Sequence, residues 1–266
     1  MGMNISLKET DPERFRKITE KARYFQTTVC GTSILKDNIF QAAESYVRRS
    51  GRETELLFYP FECIDILALN MIREDTFFLS VNTERPVYDE IYAAANELWR
   101  IARYIESDDE GGLYSILTKE MTESPESRED IEADTFARIL LMSDSQIYEM
   151  TQVHGIDIRK PNVGTIILLM SLFAVSFRTA VIRLFEYGSI TEEQALALLA
   201  YSGEEINNEI KKRGTGIRWS LTGKGTEHLG SFLETYEYNK ENGFLTDGRI
   251  RETEKFLEEI RKRIRI

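Results

Sequence analysis

Tyr92-Ala93-Ala94-Ala95-Asn96-Glu97-Leu98-Trp99-Arg100-Ile101 is the stretch on which the reading of this chain turns. From Val87 to Ile105 the residues Ile91, Ala94, Ala95, Leu98, Ile101, Ala102 and Ile105 recur at helical spacing, which predicts a helix with one broad apolar face. Immediately upstream, Thr76 to Val81 is rich in Phe and Val and reads as the clearest strand, with Asn82 to Arg85 as a turn. Thr54 to Tyr59 is a short β-prone run stopped by Pro60, and Ile64 to Ile72 suits strand or helix equally.

Around this centre the chain is helical. Residues 10 to 25 form an amphipathic helix capped by Thr10 or Asp11, with Pro12 in its first turn, and a second runs from Asp37 to Arg49 with Gly51 past its end. Glu106 to Gly112 and Glu123 to Glu129 read as polar loops, and residues 129 to 142 as a strong helix. Ser143 or Asp144 starts a shorter helix reaching about Val153, before Gly155. Asn162 to Phe173, Ser176 to Tyr187, Thr191 to Tyr201, Glu227 to Lys240 and Asp247 to Ile264 follow as helices. Gly214 to Gly225, with several glycines and few apolar residues, reads as a linker or mobile loop. The expected fold is α+β: a small sheet, mostly from residues 54 to 82, wrapped by helices and followed by a mostly helical second half. The expected segments are an N-terminal helical part over 1–53, a core over 54–155, a helical region over 156–212, and linker plus C-terminal helices over 213–266.

Composition narrows the function classes. A net charge of -11 and a pI near 5.0 argue against phosphate-backbone binding, which relies on Lys and Arg, and against an anionic membrane surface. Cys30 and Cys63 make neither a disulfide framework nor a zinc-finger spacing, and read as reduced thiols in a cytoplasmic protein. The N-terminal stretch is charged from Lys8 onward and shows no secretory signal, and the most apolar run, Val163 to Val175, is too short to span a bilayer. There are only 2 histidines, His154 and His228, far apart in sequence. A His-Glu-x-x-His zinc helix needs two imidazoles four apart on one face, so this chain contains none.

Asn96-Glu97-Leu98-Trp99-Arg100 nevertheless occupies that frame. It follows Val81-Asn82 at the end of a strand, and it precedes Glu132-Ala133-Asp134-Thr135-Phe136-Ala137-Arg138-Ile139-Leu140-Leu141-Met142 on a later acidic helix. Further on comes Phe173-Ala174-Val175-Ser176, and then Arg183-Leu184. In this order and spacing, over roughly residues 54 to 190, the chain resembles the ImmA/IrrE family of metallopeptidases. Ser143 stands where that family usually has proline.

The resemblance implies a zincin-like core. It puts Glu97 at the general base, Glu132 at a zinc-ligand position, and Asn96 and Arg100 where the two zinc histidines belong. An amide is a poor zinc ligand and a guanidinium is none. The site residues implied are therefore Glu97 as a relic base and Asn96, Arg100 and Glu132 as a cleft, with Arg100 neutralising Glu97, Glu132 or both. No cofactor is expected, although the family uses zinc.

The function implied is that of a catalytically inactive homologue acting as a protein-binding module. Its expected partner is a repressor or antitoxin-like protein of a mobile element, and neither nucleic acid nor membrane is expected. Two other readings stay open. One is an active metal-dependent peptidase in which Glu97 and Glu132 are joined by a distant ligand such as His154 or Asp134. The other is an unrelated helical interaction protein, with Glu97 and Arg100 as an ordinary solvated pair.

Three other features are weaker. The helix after Ser176, helix-turn-helix-like in the resemblance, carries Phe177, Phe185 and Tyr187 beside Arg178 and Arg183 and is too apolar for a groove-reading helix, so it reads as packing. The last helix pairs an apolar stripe of Phe256, Leu257, Ile260 and Ile264 with Arg261, Lys262, Arg263 and Arg265, and reads as packed or dimer-forming. Gly223-Lys224-Gly225-Thr226 lacks the spacing and the preceding strand of a phosphate loop.

Overall fold

A computed structural model describes residues 6–31, 34–107, 112–119, 121, 127–221 and 227–264. The fold is α+β, built on one small mixed sheet. Strands β1 (Glu53–Tyr59), β2 (Ile66–Arg73), β3 (Thr76–Asn82) and β4 (Tyr114–Thr118) lie in the order β1-β3-β2-β4. β1 runs parallel to β3, with Glu53 opposite Thr76 and Tyr59 opposite Asn82; β2 is antiparallel to both of its neighbours. β2 and β3 form a tight hairpin in which Glu74 takes the left-handed conformation (φ 56). The ambiguous run from Ile64 is thus settled as a central strand, because both of its edges find a partner. β4 carries no sequence pattern strong enough to announce it: it is short, and only Leu117 of its residues is buried.

The helices upstream of the sheet are α1 (Leu7–Thr10), α2 (Pro12–Phe25) and α3 (Asn38–Arg49). Asp11 caps α2 by accepting from the Arg14 N–H, and Pro12 opens its first turn as expected. A single π turn, Gln26–Cys30, follows. The central helix α4 (Val87–Ser107) lies on the sheet face formed by Phe77, Leu79 and Val81, all fully buried. Its apolar face is buried as the periodicity predicts, but residues outside that face are buried too, among them Tyr92, Asn96, Glu97, Trp99 and Arg100. Glu97 faces β2 and β4, and the other side is covered by α5 (Arg128–Leu141), where the Trp99 and Phe136 rings sit 5.2 Å apart.

Beyond α5 come α6 (Asp144–His154), α7 (Val163–Phe173), α8 (Phe177–Tyr187), α9 (Glu192–Leu199) and α10 (Gly203–Arg213). Ser143, Asn162, Thr191 and Ser202 each close a capping box on the helix that follows. α7 and α8 meet at 98°, and no single helix among the described residues is long and apolar enough to cross a membrane. α8 buries Phe177, Val181, Ile182, Arg183, Leu184 and Glu186, so it is a core element without a free groove-reading face.

The reading of Gly214 to Gly225 as a linker or mobile loop is corrected over the part that is described. Ile217–Ser220 forms a short helix, α11, whose buried Trp219 donates its indole N–H to the Ser171 carbonyl at 3.1 Å, and the Val87 N–H donates to the Leu221 carbonyl at 3.1 Å. An indole with an apolar slot and a carbonyl partner outweighs the conformational freedom of the nearby glycines. The Gly223-Lys224-Gly225-Thr226 stretch lies outside the described residues.

One core runs from Leu7 to Trp219, so the segments 1–53, 54–155 and 156–212 share it. A second, smaller cluster joins α12 (Phe232–Glu241) and α13 (Asp247–Ile264) to Tyr59 through Leu229, Tyr236, Leu257 and Ile260. His228 pairs with Phe58 through two backbone hydrogen bonds of 2.7 and 2.8 Å, which covers the outer edge of β1. Leu257, Ile260 and Ile264 of the apolar stripe are thus used for packing within the chain, while Phe256 is exposed.

A buried ionic network fastens α8 to its neighbours. Arg138 donates to the Glu186 carboxylate at 2.8 Å, and Ser6 donates to the same oxygen at 3.0 Å. Arg183 donates to the Met142 carbonyl at 2.8 Å and pairs with Asp144, while Lys8 donates to the Glu186 carbonyl. Removing one member of such a group strands the others in a medium that solvates charge poorly. Glu186→Ala is therefore expected to lower stability by about 3–5 kcal/mol in urea unfolding. Arg138→Met combined with Glu186→Met is expected to lose much less than the sum of the single changes.

Candidate functional site

The frame residues lie in the middle of α4, where a helix surrounded on all sides must satisfy its polar groups internally. Glu97 is fully buried. Its Oε2 accepts from Ser115 Oγ on β4 at 2.6 Å and from Asn70 Nδ2 on β2 at 3.1 Å. Its Oε1 lies 3.6 Å from Arg100 Nε and has no hydrogen-bond partner. Burial pushes the Glu97 carboxyl above the usual carboxylate range, against the opposing pull of Arg100, Ser115 and Asn70.

Arg100 has only 6% of its side chain exposed. Its Nη2 donates to Asp130 Oδ1 at 2.7 Å, and its Nη1 lies 3.7 Å from Glu129. Both carboxylates belong to the first turn of α5, the positive end of that helix, where acidic side chains are favoured. Burial raises the Asp130 carboxyl, but the Ser127 hydroxyl and Arg100 outweigh that and hold it below its ordinary value. Asn96 is buried with an unpartnered Oδ1.

Glu132 is placed differently. Arg14 of α2 donates to it at 2.6 Å and Arg103 of α4 at 2.9 Å, with Arg128 at 3.7 Å. Arg100 therefore joins Glu97 to Glu129 and Asp130, while Glu132 is held by three other arginines. Asp134 pairs with Tyr92 and Arg138. His154 is exposed at the end of α6, before Gly155 in the left-handed conformation. Among the described residues no group of His, Cys, Asp and Glu side chains could hold a metal ion. The residues present do not fit a zinc site: the two positions where the resemblance puts zinc imidazoles carry an amide and a hydrogen-bonded guanidinium, and the carboxylate of the third is taken up by arginines.

Several members of the site carry no clear sequence signal. Asn70 is a single polar residue in an apolar strand run and invites the question of its partner. Arg103 lies seven residues after Asn96 on the same side of α4. Arg14 and Ser115 are visible only once the chain is folded. Comparison of the chain with protein-family models, with curated proteins and with solved structures gives no match.

Two turns before Glu97 lies Glu90, also buried, with an unpartnered Oε1. Burial, aided by Asp89, pushes its carboxyl up to about 7. The folded protein therefore holds a proton on Glu90 that the unfolded chain releases nearer the ordinary carboxyl value of 4.5, so stability falls as pH rises across that window. Glu90→Gln is expected to raise the melting temperature by about 5 °C at pH 8. The same change is expected to leave it nearly unaltered at pH 4.5, as calorimetry at the two pH values will read.

Proposed function

We propose that this protein is a catalytically silent relative of the ImmA/IrrE metallopeptidases that works as a protein-binding module. The observation that carries the reading is the position of Arg100. Its buried guanidinium lies between Glu97 and Asp130, at the place in the frame where the resemblance puts a zinc-binding imidazole. A cation-carboxylate cluster of this kind stabilises the helix and the sheet it rests on. It gives Glu97 no water to activate, because Glu97 is committed to Asn70 and Ser115 inside the protein.

On this reading the zincin-like scaffold is retained for its surface. The partner is a cytoplasmic repressor or antitoxin-like protein encoded on a mobile element, held without being cut. The acidic balance of the chain and the burial of α8 speak against nucleic acid as the ligand.

The test is metal analysis of the full chain after equilibration with zinc or manganese and exhaustive dialysis. The expected result is far less than one equivalent bound. Stoichiometric metal that disappears in Glu132→Ala would show a working altered site and overturn the proposal. A second measurement separates the proposal from an accidental likeness. Asn96→His combined with Arg100→His is expected to acquire close to one equivalent of zinc in a protein with an unchanged circular-dichroism spectrum. A folded double variant that stays metal-free would point to an unrelated helical protein.

A further inference from the structure

A cavity of about 390 Å³ opens between the end of β1, the start of β2 and helix α13, away from Asn96, Glu97 and Arg100. Its walls are aromatic and aliphatic. The Tyr59 ring packs 4.8 Å from that of Phe61 and 5.6 Å from that of Phe256, and Ile66, Leu69 and Ile260 complete the lining. Such a volume lies within the range of small-molecule sites, roughly 300–1,000 Å³, and such sites combine apolar walls with a few placed polar groups.

Arg263 is the half-buried cationic group on the wall. Its Nη1 donates to the Phe61 carbonyl at 3.0 Å, which fixes the guanidinium against the loop after β1. Nε and Nη2 have no partner among the described residues. A guanidinium held by one edge presents its remaining donors as a preorganised fork that matches a carboxylate. Glu62 and Cys63 also border the cavity but are exposed, where solvent and salt screen the Glu62 carboxylate, and the half-buried Glu259 has its carboxylate 3.7 Å from Lys255 Nζ, which offsets its charge. The inward-facing charge to be matched is therefore positive, and the surface to be covered is hydrocarbon.

We propose that this cavity binds a small apolar carboxylate, with its hydrocarbon body against Tyr59, Phe61 and Phe256 and its carboxylate on Arg263. The site is independent of the function proposed above, since it uses none of the same residues. The probes are 4-phenylbutyrate and its uncharged counterpart 4-phenylbutanol, titrated calorimetrically into the full chain. Saturable binding of the acid is expected, tighter than that of the alcohol. Arg263→Gln is expected to weaken the acid at least about tenfold, the scale of a lost charged hydrogen bond, and to change the alcohol by less than about twofold. Arg263→Lys is expected to recover part of the loss, and Phe256→Ala to weaken both probes alike. No saturable binding by the wild-type chain overturns the proposal. So does an equal loss of acid and alcohol in Arg263→Gln, or tight binding of a peptide ending in Phe when the free acid does not bind.

Discussion

The middle of helix α4, from Glu90 to Ala102, is buried on every side, and it carries a carboxylate and a guanidinium through the interior of the molecule. An isolated ion in such a place costs several kcal/mol, so each charge must find an opposite charge or a donor before the helix can be enclosed. This requirement sets the neighbours. Asn70 on β2 and Ser115 on β4 face Glu97, and Asp130 at the start of α5 faces Arg100. The sheet, the central helix and α5 are thereby joined through one continuous set of polar contacts inside an otherwise apolar core.

Helix α5 repeats the arrangement along its length. Asp130 engages Arg100, Glu132 engages Arg14 and Arg103, Asp134 engages Tyr92 and Arg138, and Arg138 reaches Glu186 on α8. Four charged residues on one buried helix thus address α2, α4 and α8. Apolar packing would bring these helices together in many registers, whereas ion pairs penalise a shift by leaving a charge unpaired. The same chemistry bears on the proposed function. In a metal site a dication balances the carboxylates; here guanidinium groups supply the positive charge beside Glu97, Asp130 and Glu132.

Much of the fold was legible along the chain because its signals are local. Asp11 and Pro12 mark the start of α2, Ser143 that of α6 and Gly188 the end of α8 through hydrogen bonds within a few residues. The Phe and Val content of Thr76 to Val81 marks β3. β4 was not legible, since Tyr114–Thr118 is short and mostly exposed, and it becomes a strand only because β2 offers an edge. Nor was α11, where Trp219 acquires its meaning from the Ser171 carbonyl 48 residues away.

At the candidate site the division is sharper. The sequence by itself determined that two histidines in a zinc frame are absent, that Glu97 and Arg100 share a helical face, and that the chain carries a net charge of -11. These follow from residue identity and from the period of the helix. Only the tertiary structure decided that Arg100 turns to Glu97 and Asp130 while Glu132 turns to Arg14, 118 residues distant. A carboxylate accepts whichever guanidinium the packing brings within reach, and that choice is made by how the helices stack.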